Sequence, residues 1–339
     1  MQHEDEVIPV QRARMLAFAP MIPDDKLRAQ LAHTLQKFDA PELGELYRGK
    51  VRDNYSRGDR ILMVTTDRIS AFDHVLGTIP FKGEVLSRLT SFWFDKVKDF
   101  APICVLDTPD PSVMVVKRAE PFPVEIIIRG YITGSLWRDY LAGKAGAYGI
   151  DWPAGLRKDQ KFGAPIITPS TKAQYGKHDE PISEKAIVDG GLVSAKLWAE
   201  ATEVARALFR RGQEWAASRG LILVDTKYEM GIVDGKLSVI DEIHTPDSSR
   251  YWVAKGYEER FAAGQDQQML DKENIRQWLI SEHGFSGHGS PPPLTDEVRV
   301  MLARKYIEVF ELLTGERFES PEGSVDARIR GNLRSKGYL

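Results

Sequence analysis

The sequence predicts an α+β protein of two lobes: a β-rich N-terminal lobe and an α+β C-terminal lobe, with a cleft between them. Three observations point there. From Glu45 to Leu76 apolar residues follow a strand pattern, broken by turn residues. Residues 194–219 and much of 256–314 carry apolar residues at helical spacing instead. Between strand-like runs, residues 119–123 form a proline-containing joint of the kind that hinges two lobes. We expect residues 1–120 to form the first lobe and 121–339 the second, the latter including a helical extension over 256–339. Clefts between lobes are preferred ligand sites.

The chain has 339 residues, 42 % hydrophobic and 28 % charged, which suits a soluble globular protein with a large core. A net charge of −3 argues against a nucleic-acid partner, while leaving room for a local basic pocket. One cysteine, Cys104, excludes an internal disulfide and suits a reducing, cytoplasmic setting. The N-terminal stretch "MQHEDEVIPVQRARM" is too charged for a secretory signal, and no apolar run approaches the ~20 residues of a membrane span. We expect a cytoplasmic monomer.

In chain order, residues 1–23 suit a tail lying on the body. Pro23 and Asp24 open a helix whose stripe would be Leu27, Leu31, Leu35 and Phe38. "ELYRGKVRDNY" and "RILMVTTD" flank the turn "SRGD" and predict a hairpin. Residues 84–100 predict a helix packed by its aromatics. "SVMVVKRAEPFPVEIIIRGYI" gives two strands around the joint. Residues 142–181 are rich in Gly, Pro and polar groups and predict a long functional or covering loop. A helix over about 194–219 ends at Gly220, a suitable C′ residue. Helices over 256–283 and 295–314 flank "GFSGHGSPPP".

Between these helical segments runs "LILVDTKYEMGIVDGKLSVIDEIHTPDSSR", Leu221 to Arg250. Side chains alternate along a strand, so Asp225, Lys227 and Glu229 share a face. A two-residue loop at Asp234–Gly235 would pair Glu229 with Ile240 and turn Asp241 to the other face. A three-residue loop, Val233–Asp234–Gly235, would pair Lys227 with Asp241 and place Gly235 at positive φ in a bulge. We expect the three-residue loop, because it gathers three acids around one lysine. Such acids repel unless a second cation joins them, and Mg²⁺ suits, since it uses one or two carboxylates plus phosphates. The bland alternative is a hairpin whose polar face meets water; the apolar run "LILV" speaks for burial.

Other stretches suit an anion site. "YRGKVRD" offers Gly49 and Lys50, with Arg48 and Arg52 nearby, although a lone Gly-Lys is commonly a simple turn. "TTDRISAFD" ends a strand with Asp67, Arg68, Ser70 and Asp73. "IIIRGYITGS" runs an apolar strand into Arg129, which needs an anionic partner, followed by Gly134 and Ser135 as donors. "TPDSSR" adds Asp247, two serines and Arg250. The chain lacks GxxxxGK[ST], GxGxxG, HRD and DFG motifs and any zinc-ligand spacing.

Two longer stretches, "FPVEIIIRGYITGS" at 122–135 and "LVDTKYEMG" at 223–231, resemble the signatures of the SAICAR synthetase family, the phosphoribosylaminoimidazole-succinocarboxamide synthases. "RGKVRD", "TTDRISAFD" and "DEIHTPDSSR" are similar in order and spacing to its longer, fungal-like branch. Met230 stands where phenylalanine is common. The resemblance covers about residues 45–255 and leaves 256–339 without a motif. It implies an ATP-dependent ligase joining CAIR, the 4-carboxylate of aminoimidazole ribotide, to L-aspartate, giving SAICAR, ADP and phosphate in de novo purine biosynthesis. It implies a distantly kinase-like fold with ATP between the lobes, covered by Gly49, Lys50 and Val51, with adenine near Arg118, Ala119 and Glu120. Glu229 and Asp241 are implied as Mg²⁺ ligands with Asp225 nearby, and Lys227 as the neutralising cation. Arg129, Ser135 and Arg250 are implied to hold CAIR. Ser70, Asp73, Lys172, His178 and Asp179 would complete the CAIR and aspartate pockets. Activation is implied to pass through an acyl phosphate. The rival readings are a small-molecule kinase on the same fold and a nucleotide-binding module without turnover.

Overall fold

The computed structural model describes residues 22–72, 74–172, 179–270 and 273–339. The first helix, α1 (Asp24–Gln30), stops earlier than its apolar stripe suggests, and a 3-10 turn follows at Leu31–His33. Leu35 and Phe38 are buried as expected but lie outside any helix. The reason is local: the carboxylates of Asp67 and Asp53 accept the backbone N–H groups of Leu35 and Phe38, each at 2.7 Å. Those donors are then not available to a helix.

The stretch "ELYRGKVRDNY" forms two strands rather than one, β1 (Glu45–Arg48) and β2 (Arg52–Arg57), with Gly49–Val51 as the turn. β3 (Arg60–Thr65) follows, then a short hairpin of β4 (Arg68–Ala71) and β5 (His74–Thr78). Helix α2 (Lys82–Val97) buries Val85, Leu89 and Trp93. β6 (Val105–Asp110) and β7 (Val113–Lys117) complete an antiparallel sheet in the order β1-β2-β3-β7-β6.

The joint after β7 is a two-residue strand, β8 (Glu120–Pro121), leading to β9 (Val124–Ile132). The predicted Thr-Gly-Ser loop is the start of helix α3 (Gly134–Leu141). Inside the expected long loop lie β10 (Gln160–Ile167) and β11 (Ser170–Thr171), both paired with β9. A register shift between Lys161 and Ile166 hides the period-2 signal there. Helices α4 (Glu184–Asp189) and α5 (Ala195–Ser218) come next. Then β12 (Leu221–Tyr228), β13 (Met230–Val233), β14 (Lys236–Val239) and β15 (Ser249–Val253) form the acidic hairpin and its return. The second sheet runs β10-β9-β12-β15; a third, β14-β13-β8, lies at the joint. Helices α6 (Tyr257–Ala263), α7 (Glu273–His283), α8 (Asp296–Thr314) and α9 (Val325–Ser335) follow.

The main core lies between α2, α5, α8 and the second sheet. A second core covers the first sheet: Val325, Ile329 and Leu333 of α9 pack with Leu35, Phe38, Val64, Val113 and Val115. At its edge Arg328 donates to Asp110 (3.2 Å) and to Ser112 Oγ (2.8 Å), and also pairs with Glu84.

The hairpin register corrects one expectation. Val233 pairs with Lys236, so the loop has two residues, Asp234 (φ 50°) and Gly235 (φ 76°). Both central residues at positive φ make a type I′ turn, whose twist matches the strands, and Asp-Gly is a favoured filling. Gly235 is at positive φ as expected, but without a bulge. Asp241 still reaches the acid cluster. β12 ends at Tyr228 and β13 starts in another sheet, while β14 ends at Val239, so strand alternation no longer governs Glu229 or Asp241.

His244 gives this core an acid sensitivity. It is fully buried, its Nε2 lies 2.6 Å from Tyr228 Oη, and its ring meets Trp93 edge-on at 4.6 Å. Burial lowers its pKa to about 3. A base depressed in the fold contributes stability above its unfolded pKa near 6.5 and loses it as pH falls toward the folded value. Asp67 works the other way: burial raises it to about 6, which favours the fold as pH falls through that value. His244→Asn keeps a side chain tolerant of the positive φ (55°) found here. The stability difference between wild type and this variant should therefore shrink by about 1.4 kcal/mol per pH unit below pH 6.5. Urea unfolding at pH 7, 6 and 5.5 measures it; parallel curves would refute the assignment.

Candidate active site

A cleft of about 340 Å³ opens between the first sheet and the joint. Gly49, Lys50 and Val51 line it from the β1–β2 turn, Ile61, Met63 and Val116 from the sheet, and Ala119 from the joint. The turn is held in place by Arg68, a buried residue. Its guanidinium donates to the carbonyls of Lys50 (3.0 Å) and Gly49 (2.9 Å) and to Asp53 (2.8 Å). Glu229, Asp241 and Lys172 close the inner end.

A wider pocket of about 490 Å³ continues from there, and Lys227 stands in it. Its ammonium lies 2.9 Å from Glu125, 2.5 Å from Glu229 and 3.9 Å from Asp241. Burial opposes the charge, but Glu229, Glu125 and Asp241 outweigh it and hold Lys227 well above the usual lysine range. Burial would likewise raise Asp241; Arg52 and Lys227 keep its carboxyl well below the usual carboxylate range. Arg52 pairs with Asp241 and reaches Glu242 at 3.2 Å, so it bridges the first sheet to the hairpin. Lys172 pairs with Glu229. Burial pushes Glu125 up, against the pull of Lys227.

A third pocket of about 210 Å³ adjoins the second, sharing Lys227, Asp247, Ser248 and Arg276 with it. Its wall is one row across three strands. Asp225 of β12 stands opposite Arg129 of β9 on one side and Arg250 of β15 on the other. Arg129 reaches it at 3.1 Å and Arg250 makes a short ion pair with it. Ser135, in the first turn of α3, accepts from Arg129 at 3.3 Å. Gly134 (φ 56°) makes the Arg250 position accessible, because a Cβ there would lie 2.2 Å from the guanidinium. Two guanidiniums facing one carboxylate carry a surplus positive charge, and a helix N-terminus adjoins them. That is an arrangement for a phosphate or carboxylate.

The model of the SAICAR synthetase family matches residues 45–290. The chain belongs to the SAICAR synthetase family. The phosphoribosylaminoimidazole-succinocarboxamide synthase of Bacteroides fragilis is 46 % identical over 307 residues, covering 89 % of this chain and 98 % of that one. The protein of the same name from Cytophaga hutchinsonii is 47 % identical over 301 residues, with 88 % and 96 % covered. Among solved structures, the SAICAR synthase of Saccharomyces cerevisiae complexed with SAICAR superposes with a TM-score of 0.73 at 32 % identity, over 85 % of this chain and all of that one. A type-2 SAICAR synthetase in complex with ADP shares the fold at 23 % identity and a TM-score of 0.63, covering 81 % of this chain and 100 % of that one.

Most residues that the family resemblance singled out converge on the three pockets. Gly49, Lys50, Val51 and Ala119 line the first. Ser70, Lys172 and Asp179 line the second, with Lys227, Glu229 and Asp241. Arg129, Ser135 and Arg250 line the third. Arg118 and Glu120 are exposed beside the cleft rather than among its lining residues; Lys117 and Pro121 take those places. Asp225, expected beside the metal ligands, is set between the two arginines instead. Asp73 and His178 lie outside the described residues, as does nearly all of the expected tail.

Sequence reasoning passed over Glu125, Glu242 and Arg276 and treated Arg52 only as a neighbour of the Gly-Lys pair. Glu125 had a signal: it alternates with Ile127 and Arg129 on one face of β9. Arg52 and Arg276 reach the site only through tertiary packing, and no local pattern marks them.

Proposed function

We propose that the protein is an ATP-dependent ligase that joins CAIR to L-aspartate, giving SAICAR, ADP and phosphate in de novo purine biosynthesis. The observation that carries this is the junction at Lys227. In a chain of this family, one ammonium stands among three acids where a nucleotide-sized cleft opens into an arginine-lined pocket.

The first pocket is assigned to ATP. Ile61, Met63 and Val116 offer apolar contact to adenine beside the joint at Arg118, Ala119 and Glu120, and Lys50 meets the phosphates. The third pocket is assigned to the CAIR phosphate through Arg129, Ser135 and Arg250, with Asp225 orienting both guanidiniums. The middle pocket then receives the CAIR carboxylate and L-aspartate, with Ser70, Lys172 and Asp179 assigned to it; the family resemblance adds Asp73 and His178 to the same role. Glu229 and Asp241 offer hard oxygen donors at the junction, a donor set that fits Mg²⁺ together with phosphate oxygens. The ion would neutralise charge on the nucleotide phosphates there.

The chemistry divides into two displacements. A carboxylate oxygen of CAIR attacks the γ-phosphorus, and the bond to the bridging oxygen breaks as ADP leaves. The aspartate amine then attacks the acyl carbon, and the C–O bond to phosphate breaks. Two protons leave the aspartate nitrogen, one before attack and one after. Lys227 lies where two anions must meet, and its fixed charge lowers their repulsion. Positioning and charge neutralisation supply most of the rate in such transfers. No helix among the described residues is long and apolar enough to cross a membrane. A cytoplasmic monomer, with a first lobe through residue 120 and a second from 121, completes the proposal.

Sustained ADP release should require both CAIR and L-aspartate in a coupled assay. Equal release with an unrelated phosphorylated alcohol in place of CAIR would favour a kinase and overturn the ligase.

A further inference from the structure

We propose that Tyr306, on helix α8, is a positioning residue for the substrate side of the site, acting through Asp247. The inference rests on the function proposed above. Asp247 lines both the middle and the third pocket. Both of its carboxylate oxygens are held. Lys82 Nζ, fully buried at the start of α2, donates to Oδ2 at 2.8 Å. Tyr306 Oη, with the residue 3 % exposed, donates to Oδ1 at 2.5 Å. The Lys82 ammonium also lies 5.3 Å from the Tyr306 ring. Lys82 and Tyr306 line none of the three pockets, and both meet the site at the Asp247 carboxylate.

The carboxylate belongs to a loop with a substrate-facing end. Thr245 Oγ1 accepts the N–H groups of Asp247 and Ser248, each at 3.3 Å, and itself donates to Glu242 at 2.9 Å. Three residues after Asp247 stands Arg250, opposite Asp225. Anchoring Asp247 at both oxygens therefore fixes the loop that delivers Ser248, Ser249 and Arg250 to the third pocket. Deleting the tyrosine hydroxyl removes the bond that holds Oδ1 and loosens the orientation of the carboxylate. The helical extension, which carries no site motif in its sequence, thus reaches the substrate side through Tyr306 as well as through Arg276, which lines both pockets.

The test is a steady-state comparison of wild type, Tyr306→Phe, Asp247→Asn and the double variant. Tyr306→Phe keeps the buried ring and removes only the hydroxyl. We expect KM for CAIR to rise about tenfold, the scale of one hydrogen bond to a charged group, with kcat within threefold and KM for ATP unchanged. The double variant should be no worse than Asp247→Asn alone, as for two residues acting on one path. An unchanged KM for CAIR overturns the proposal. So does a folding defect, or a parallel rise in both KM values, since either assigns Tyr306 to the core alone. A wild-type protein that fails to turn over CAIR with L-aspartate would instead refute the ligase reading, which keeps the two failures apart.

Discussion

Asp241→Asn is expected to lower turnover by about a thousandfold or more while the protein stays folded, on the scale of removing one charge-stabilising group from a phosphoryl-transfer site. The substitution keeps shape and an acceptor oxygen but removes the negative charge. Arg52 would still reach Glu242 at 3.2 Å, so the bridge between the first sheet and the hairpin survives in part. Lys227 would keep Glu125 at 2.9 Å and Glu229 at 2.5 Å. What goes is one of the two carboxylates assigned to Mg²⁺ and part of the field that sets the Lys227 charge. Single-turnover ADP formation, alongside circular dichroism and a melting curve, checks both halves. Near wild-type turnover in the folded variant would return the hairpin acids to a solvated, structural role.

Arg250→Ala has the next largest expected effect. CAIR affinity should fall by about 1.5–3 kcal/mol, or roughly 10- to 150-fold, as a charged hydrogen bond to its phosphate is lost. Asp225 would retain Arg129 at 3.1 Å, so no buried carboxylate is left bare. ATP affinity should hold, because Arg250 does not line the first cleft. Separate titrations of CAIR and a nonhydrolysable ATP analogue decide the matter. Loss of the nucleotide with CAIR retained would exchange the two pocket assignments.

The face of β12 was legible because a strand's period is short and local: Asp225 and Lys227 are spaced by two and an apolar run precedes them, while Glu229 lies just past the strand's end. The hairpin loop misled because the expectation assumed one unbroken strand. Pairing passes from the second sheet to the third at Glu229, and a two-residue Asp-Gly turn then suffices. The resemblance marked Asp241, but only the fold shows how the residue arrives. Arg129 was legible as a cation at the end of an apolar strand. Its partner was not, since the Arg129–Asp225–Arg250 row depends on which strands are neighbours. The short α1 had a similar cause: Asp67 and Asp53 capture the backbone of residues distant in sequence, against a continuous helical stripe. β10 escaped notice because Gly163, Pro165 and a shifted register interrupt its alternation.

The packing of α9 on the first sheet carries a consequence for how the protein is made. Translation delivers Leu35, Phe38, Val64, Val113 and Val115 early, but their cover of Val325, Ile329 and Leu333 comes late. Arg328, which ties the helix to Asp110, is synthesised 218 residues after it. At about 5–20 residues per second the nascent sheet waits roughly 10–40 s with that face open. The N-terminal half therefore cannot close its core while the ribosome is still working on the rest. A synthesis product cut short before α9 would leave the same apolar face bare, an aggregation hazard.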